Sequence, residues 1–305
     1  MRDVNVALKA VLERGAVWAF TPWRLSRRRQ PLRLILAYHN VVPDCERMCG
    51  DRSLHLHRRA FAEQLDILLE HAHVVPLGDL LSDNPNKEGP RASITFDDAY
   101  FGAVTEGVAE LRARSLPATI FVAPGCLGGQ TFWWDALAGD NGLADAVRTT
   151  ALDSYAGTGS LVLGWAREAA LVEHEVPGYA RSATIAELET AMGYSELWLG
   201  SHTWTHPNLT RLREANLSME LTRPLSWLRD RFGSRVGSWL AYPYGLVDTE
   251  VEKATSAAGY EAAFRVSGGW VPRRGANAVG LPRLNVPAGI SADGFRLRLA
   301  GLFCE

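Results

Sequence analysis

The chain has 305 residues, of which 47% are hydrophobic and 22% charged, so it can bury a core as one large globular domain or two small ones. Its net charge of −2 and its pI near 6.5 exclude the overall basic field on which non-specific nucleic-acid binding depends. The four cysteines include no CxxC pair and no zinc-finger-like array, which predicts reduced thiols in a cytosolic protein.

The first 30 residues are basic and amphipathic. Seven Lys or Arg stand against Asp3 and Glu13, which gives this segment a net charge of +5 and leaves −7 for the remainder. Such a cationic element can lie on an anionic membrane surface, and the alternative is a helix docked on the domain with its arginines in water. Its longest apolar run, AVWAF, is too short for a signal peptide or a transmembrane span. We therefore expect a cytoplasmic protein, with peripheral contact at the inner membrane surface left open.

Apolar β-type runs then alternate with helical patterns. The predicted strands are LRLILAYHNVV (32–42), ASITF (92–96), PATIFVAP (117–124), LWLGSH (197–202) and SWLAYPYG (238–245). The predicted helices are RAFAEQLDILLEHA (59–72), AVTEGVAELRARS (103–115) and LSMELTRPLSWLRDRFG (217–233). This order predicts parallel strands with helices outside, either an α/β sheet or a (β/α) barrel, with the chemistry at the carboxyl ends of the strands. Residues 140–190 fit the alternation less well, and we predict a helical insertion there.

Two motifs at predicted strand ends indicate a metal site. Asp97 and Asp98 follow ASITF, and His202 and His206 lie four residues apart after LWLG. Two imidazoles and one carboxylate form a common catalytic metal set, and the second Asp would remain free to take a proton from metal-bound water. The alternatives are two structural histidines at a helix start and an acidic helix cap at DDAY.

The order TFDDAY, PATIFV, FWWD, SHTWTHPNL and AYPYG resembles the polysaccharide deacetylase family, also known as the NodB homology or carbohydrate esterase 4 group. The resemblance implies a deformed (β/α)7 barrel over about residues 31–290, between the N-terminal extension (1–30) and a C-terminal tail (291–305). It also implies metal-dependent removal of an acetyl group from an N-acetylated sugar. Asp97 would be the general base, Asp98, His202 and His206 would hold the metal, and the Tyr244 N–H would stabilise the oxyanion.

The sequence departs from the family pattern at two points. Ala241 occupies the place of the Arg that normally orients the base, and we propose that Arg283, in LPRLNV, takes over this role. No His follows His206, so the usual late general acid is missing. His39, at the end of the first predicted strand, is the candidate acid, as in the circularly permuted poly-N-acetylglucosamine deacetylases that the chain resembles.

The remaining expectations concern the metal, the substrate and other aromatic residues. Zinc is favoured for a His2Asp set, with Co, Ni, Fe or Mn as alternatives. The expected substrate is an N-acetylglucosamine-type glycan, lipid-linked sugar or nucleotide sugar; an O-acetyl esterase and a catalytically weakened carbohydrate-binding barrel remain alternatives. Four tryptophans could stack on sugar rings or be partly buried in the core: Trp133, Trp134, Trp204 and Trp270. Five histidines are predicted to lie at the surface: His55, His57, His71, His73 and His174.

Overall fold

A computed structural model describes residue 13 and residues 33–82, 89–140, 142–272 and 277–301. Apart from Glu13, the predicted N-terminal extension lies outside the described residues. Glu13 accepts a hydrogen bond of 2.5 Å from the Ser291 hydroxyl. No helix within the described ranges is both long enough and apolar enough to cross a bilayer.

Parallel strands form the centre of the fold. The strands are β1 (Arg33–Tyr38), β2 (Asn40–Val42), β3 (His55–His57), β4 (His73–Val74), β5 (Arg91–Phe96), β6 (Ala118–Val122), β7 (Leu197–Ser201), β8 (Val236–Ala241), β9 (Ala262–Phe264) and β10 (Leu284–Asn285). The main sheet runs in the order β10-β1-β5-β6-β7-β8-β9, with β4 also paired to β5, and every pairing is parallel. The (β/α) barrel-like architecture predicted from the sequence is confirmed.

The last part of the chain joins the two ends of this sheet. Leu281 forms a parallel bridge with Phe264 of β9, and its N–H donates to the Ala263 carbonyl at 2.9 Å. Three residues later, Leu284 pairs with Leu36 of β1. The segment 281–285 therefore spans the gap between β9 and β1, with Arg283 in its middle.

Helices cover the sheet. They are α1 (Arg58–His71), α2 (Leu77–Leu81), α3 (Val108–Ala113), α4 (Trp133–Ala136), α5 (Asp145–Ser154), α6 (Gly159–Glu168), α7 (Ile185–Ala191), α8 (Glu214–Phe232), α9 (Thr249–Ala257) and α10 (Ala292–Leu299). A π-helix, Ala103–Gly107, precedes α3, so the predicted helix 103–115 exists but begins with a wider turn. Helix α10, in the predicted C-terminal tail, packs against α1 and buries Phe295.

The apolar strand sequences are explained by burial on both faces of the sheet. Leu34 and Leu36 of β1 pack in a large cluster with the helices, whereas Ile35 between them joins a smaller cluster with Phe121 and Phe264 from other strands. Because neighbouring side chains on a strand point to opposite faces, both faces must be apolar here. Uninterrupted apolar runs such as LILA in β1 follow from this arrangement.

Candidate active site

Strand register brings the motifs to one edge of the sheet. Tyr38 pairs with Phe96 in register, and the Asp97 N–H donates to the Tyr38 carbonyl at 2.9 Å. His39 and Asp97 are therefore the next residues on adjacent strands. The residues after β7 and β8 reach the same edge and share with them one cavity of about 340 Å³. The cavity is lined by His39, Ser53, Leu54, Asp97, Asp98, Trp134, Arg148, Leu152, His202, His206, Tyr244, Leu246, Val266 and Asn285.

Larger depressions elsewhere do not compete with this cavity as a reaction site. One of about 520 Å³ lies beside α3 and α7, and one of about 900 Å³ lies beside α8 and α9. Both are lined by residues of surface helices, and neither includes a residue from the carboxyl ends of the strands. The chemistry of the lining, rather than the volume, identifies the site.

Asp98, His202 and His206 form a compact buried group. His206 Nε2 lies 3.1 Å from Asp98 Oδ1 and 3.1 Å from His202 Nε2, and His202 Nε2 lies 3.5 Å from the same carboxylate oxygen. No described residue hydrogen-bonds Asp98 Oδ1, although it is buried. Their ligand atoms lie within 4.8 Å of one another. Two imidazole nitrogens and an unpaired buried carboxylate oxygen fit a divalent metal ion of the zinc type.

The two histidines differ in their surroundings. His202 Nδ1 lies 2.7 Å from the Ala241 carbonyl, so Nδ1 carries the proton and the Nε2 lone pair faces Asp98. Burial alone lowers the pKa of His202, but the carboxylates of Asp97 and Asp98 outweigh it and raise the pKa. Burial dominates at His206 and lowers its pKa.

Backbone strain is concentrated in the three site motifs. Asp98, His206 and Tyr244 have φ values of 70°, 59° and 58°, in the left-handed region that side chains other than glycine rarely adopt. Ala99 and Thr203, beside them in the chain, share this conformation. Such strain costs about 1–3 kcal/mol per residue and persists only where surrounding structure enforces it. The sharp turns after β5, β7 and β8 therefore depend on the packing of the whole barrel edge.

Asp97 is held by Arg283. The Arg283 guanidinium donates to both oxygens of Asp97, at 2.7 Å each, and also to Thr95 Oγ1 at 3.1 Å and the Arg265 carbonyl at 3.2 Å. Both side chains are almost fully buried. Burial alone would raise the pKa of Asp97, but Arg283 and the nearby histidines keep it below its usual range. The structure thus places Arg283 beside the predicted base, although the two are 186 residues apart.

His39 and Tyr244 complete the predicted set. His39 is half-buried at the end of β1, and none of the described residues hydrogen-bonds its ring. Burial lowers its pKa, although Asp97 and Asp98 act in the opposite direction. The Tyr244 hydroxyl donates to the Gly157 carbonyl at 3.2 Å and accepts from Trp133 Nε1 at 3.1 Å. All seven predicted site residues therefore meet at this edge of the sheet.

Aromatic rings form one wall of the cavity. The centre of the Trp134 ring lies 4.9 Å from that of His206, and the centre of the Tyr244 ring lies 4.6 Å from the same imidazole. Trp133 and Trp134 are buried, while Trp204 and Trp270 are half-buried. Among the four tryptophans considered from the sequence, Trp134 is the one that lines the cavity.

Comparison with known proteins identifies the family. Residues 84–263, more than half of the chain, match the family model described as polysaccharide deacetylase. This chain belongs to the polysaccharide deacetylase family. Membership of this family supports deacetylation of a glycan. A search of curated proteins found no match.

Several solved structures share the fold at low sequence identity. The deacetylase PplD from Streptococcus pyogenes, in complex with acetate, has a TM-score of 0.62 and 15% identity, covering 88% of this chain and 99% of that one. IcaB from Ammonifex degensii has a TM-score of 0.60 and 17% identity, covering 89% and 97%. The putative polysaccharide deacetylase BA0330 from Bacillus anthracis has a TM-score of 0.62 and 16% identity, covering 88% and 69%.

One of the five histidines expected at the surface was predicted wrongly. His55 was expected at the surface but is fully buried, whereas His73 and His174 are exposed and His57 and His71 are half-buried. The His55 Nε2–H donates to Asp135 Oδ1 at 2.9 Å, and its Nδ1 accepts from the Asn40 amide at 3.0 Å. The short pattern HLH gave no apolar context from which this burial could be inferred.

Asp135 is the centre of a buried network behind the cavity. Its carboxylate accepts hydrogen bonds from His55, from the Tyr100 hydroxyl at 2.7 Å and from the Asp51 N–H at 2.8 Å. Trp134 Nε1 in turn donates to the Tyr100 hydroxyl at 2.7 Å. Sequence reasoning assigned Asp135 no role, although it ends the FWWD motif. The network links the DDAY turn to the aromatic wall.

Glu220 of α8 is a second residue that the sequence reasoning missed. Its Oε2 accepts from the Trp204 N–H and the Thr205 N–H, at 2.8 Å each, and its Oε1 accepts from the Thr205 hydroxyl at 2.7 Å. These three bonds hold the loop between His202 and His206. Glu220 therefore helps to fix the separation of the two imidazoles, which would have to stay constant if they bound one ion.

Replacing Glu220 with Ala should weaken metal affinity by about tenfold, because the loop loses three hydrogen bonds and the histidines lose their fixed separation. Glu220→Gln should recover part of this affinity, since the amide oxygen can still accept from the two backbone N–H groups. Metal titration of the purified variants measures both. Asp230→Ala, at an exposed position on the same helix, is the control. Unchanged affinity in Glu220→Ala would rule out this role.

Proposed function

We propose that this protein is a metal-dependent deacetylase that removes the acetyl group from an N-acetylated amino sugar. The observation that carries the proposal is that two adjacent carboxylates have different partners. Asp97 pairs with Arg283, while Asp98 faces His202 and His206. A base held apart from a metal group, in one cavity, is an arrangement suited to hydrolysis of an amide.

Asp98, His202 and His206 would hold the metal. A divalent ion bound there supplies Lewis-acid polarisation of the acetyl carbonyl and a water of lowered pKa. Zinc agrees best with the nitrogen-rich ligand set, and other divalent transition metals are compatible with it. The unpaired Asp98 Oδ1 and the His202 tautomer both suit such an ion.

Each remaining site residue has a chemical task in this proposal. Asp97, ionised because its pKa lies below its usual range, accepts a proton from the attacking water. The Tyr244 N–H donates to the acetyl oxygen as negative charge develops there. His39 gives a proton to the leaving nitrogen as the C–N bond breaks. The products are acetate and a free amino sugar.

An O-acetyl esterase is the second candidate. The observation that favours it is the lowered pKa of His39, which burial causes and which leaves less imidazolium at neutral pH. An alkoxide leaves with less help from an acid than an amine does, so an ester substrate tolerates a weaker acid. In either reaction, Asp97 and the Tyr244 N–H would act at the acetyl carbonyl in the same way.

Acetate release tests the proposal directly. The metal-depleted protein should release little acetate from N-acetylglucosamine oligomers, and added Zn²⁺ should restore release with one free amine per acetate. An O-acetylated glycan in parallel distinguishes the esterase. The absence of acetate from every donor, with metal present, would favour a carbohydrate-binding barrel without turnover.

His39→Ala should impair an N-acetyl substrate at least about tenfold more than an activated O-acetyl ester, because only the amine leaving group needs strong protonation. The basic limb of the pH profile for the amide should change as well. His57→Ala, in a half-buried histidine outside the cavity, is the matched control. Equal losses on both substrates would assign His39 to binding or structure, and no loss on either would remove it from the site.

A further inference from the structure

We propose that Arg148 recognises an anionic oxygen group, a phosphate or a carboxylate, that is carried by the acetylated sugar. This inference rests on the proposed function and narrows the class of its substrate. Arg148 belongs to α5, within the segment predicted as an insertion. Its side chain lines the same cavity as Asp97 and Asp98 and remains 37% exposed.

Arg148 is fixed in place by a buried partner. Its Nη2 donates to Asp51 Oδ2, and the Asp51 side chain is only 6% exposed. Asp51 is itself held, because its other oxygen accepts from the Ser53 N–H at 3.2 Å and the Ser53 hydroxyl at 2.7 Å. A long side chain anchored in this way loses less conformational entropy when it binds a ligand.

The anchor of Arg148 continues into the network behind the cavity. The Asp51 N–H donates to Asp135 Oδ1 at 2.8 Å. Gly50, at φ 79°, makes this approach possible, since a Cβ there would lie 2.4 Å from the same oxygen. The position of Arg148 is therefore set by the residues that also support Trp134, which lines the same cavity.

The guanidinium keeps donors available for a ligand. Within the described parts of the chain, Asp51 is the one residue that hydrogen-bonds it, through a single nitrogen. Arginine has five N–H donors and no acceptor, and its planar fork matches the two oxygens of a phosphate or carboxylate. A neutral sugar hydroxyl matches this fork less well, because one oxygen cannot satisfy two parallel donors.

The charge of the cavity depends on whether a metal ion is bound. Asp97 is paired with Arg283 and Asp51 with Arg148, so the carboxylate of Asp98, which faces His202 and His206, is the remaining negative charge of this group. A divalent metal ion at Asp98 would reverse the sign of that remaining charge. With that ion bound, Coulomb attraction in a partly buried cavity would add to the hydrogen bonds from Arg148.

Calorimetric binding tests the proposal without requiring turnover. The probes are N-acetylglucosamine, N-acetylglucosamine 1-phosphate and N-acetylmuramic acid, which carry no charge, a phosphate and a carboxylate. At least one anionic sugar should bind the wild-type protein about tenfold or more tightly than the neutral sugar, as expected for charge-assisted hydrogen bonds. Arg148→Gln should remove this preference. The anionic sugar that binds more tightly shows whether the recognised group is a phosphate or a carboxylate.

Two further variants keep the test decisive. Arg167 lies on the neighbouring helix α6, is exposed and pairs with Glu173. Arg167→Gln should keep the preference for an anionic sugar. Arg148→Lys keeps a charge opposite Asp51 but lacks the planar fork, so it should lower the preference several-fold even if Arg148→Gln does not fold. No preference in the wild type, or an undiminished preference in the folded Arg148 variants, overturns the proposal. Anion binding through Arg148 without acetate release would instead overturn the deacetylase assignment and leave this inference standing.

Discussion

Asp97→Asn should lower kcat for acetate release by about 10²–10⁴-fold while metal affinity stays close to that of the wild type. The amide cannot accept the proton of the attacking water, but Asp97 is not one of the three grouped ligands. Metal content by elemental analysis and kcat with saturating metal are the two measurements. The amide oxygen still accepts one hydrogen bond from Arg283, but the buried guanidinium loses its counter-charge, so this variant should be less stable than the wild type.

Asp98→Asn is the matched counterpart, one residue away. It should weaken metal binding, because Asp98 Oδ1 is the oxygen nearest both imidazoles. His206→Ala should likewise lose its metal. Equal metal loss in Asp97→Asn and Asp98→Asn would mean that the carboxylates share their roles. Full metal occupancy in His206→Ala would overturn the ligand assignment.

Arg283→Met should reduce the free energy of unfolding at neutral pH by about 3–5 kcal/mol, because it leaves the Asp97 carboxylate buried without its counter-charge. Activity at neutral pH should fall as well. Burial would then raise the pKa of Asp97, since the guanidinium that holds it low is gone. Urea denaturation at several pH values, with the pH profile of kcat, measures both effects.

The sign of the pH dependence follows from the direction of each shift. In the wild type the folded-state pKa of Asp97 is depressed, so its contribution to stability is present above the unfolded pKa of about 3.9 and is lost as pH falls through the lower folded value. In Arg283→Met a raised pKa penalises the folded state at neutral pH, and this penalty disappears in acid. The stability gap between the two proteins should therefore be widest at neutral pH and narrow toward pH 4.

A double variant separates charge from packing. Asp97→Asn combined with Arg283→Met removes both buried charges, so it should be more stable than Arg283→Met alone. If the double variant is no more stable, the loss arises from the missing volume of the guanidinium. The ion pair would then contribute little to the fold.

Local patterns predicted parallel strands with helices outside and the residues at the carboxyl ends of these strands, whereas the choice of a barrel came from the resemblance to a family. Runs such as LILA in β1 are apolar throughout because both strand faces are buried, and parallel strands bring their ends to one edge. His39 and Asp97 could be placed together on this basis. Arg283 was harder, since a lone arginine after an apolar run is equally typical of the surface, and its contact with Asp97 depends on how the chain returns to β1.

Residues that act through tertiary contacts were not predictable from local patterns. Glu220 lies on an amphipathic helix, where a carboxylate is common. Its hydrogen-bond donors include backbone N–H groups of another segment. His55 meets Asp135 across 80 residues. The interactions of such groups exist only after the strands have assembled. Contact of residues 1–30 with a membrane surface stays a prediction.

The position of Arg283 in the segment 281–285 has a consequence for protein synthesis. When Asp97 leaves the ribosome, the arginine that will neutralise it has not yet been translated, and Arg283 directly precedes the strand that pairs with β1. Contacts so distant in sequence form late because the closure of a long loop must come first. A nascent chain halted before residue 283 could assemble the sheet from β1 and β5 through β9 and still lack the arginine that orients the base. Catalytic competence would thus begin with the final strand rather than with the motifs that carry the chemistry.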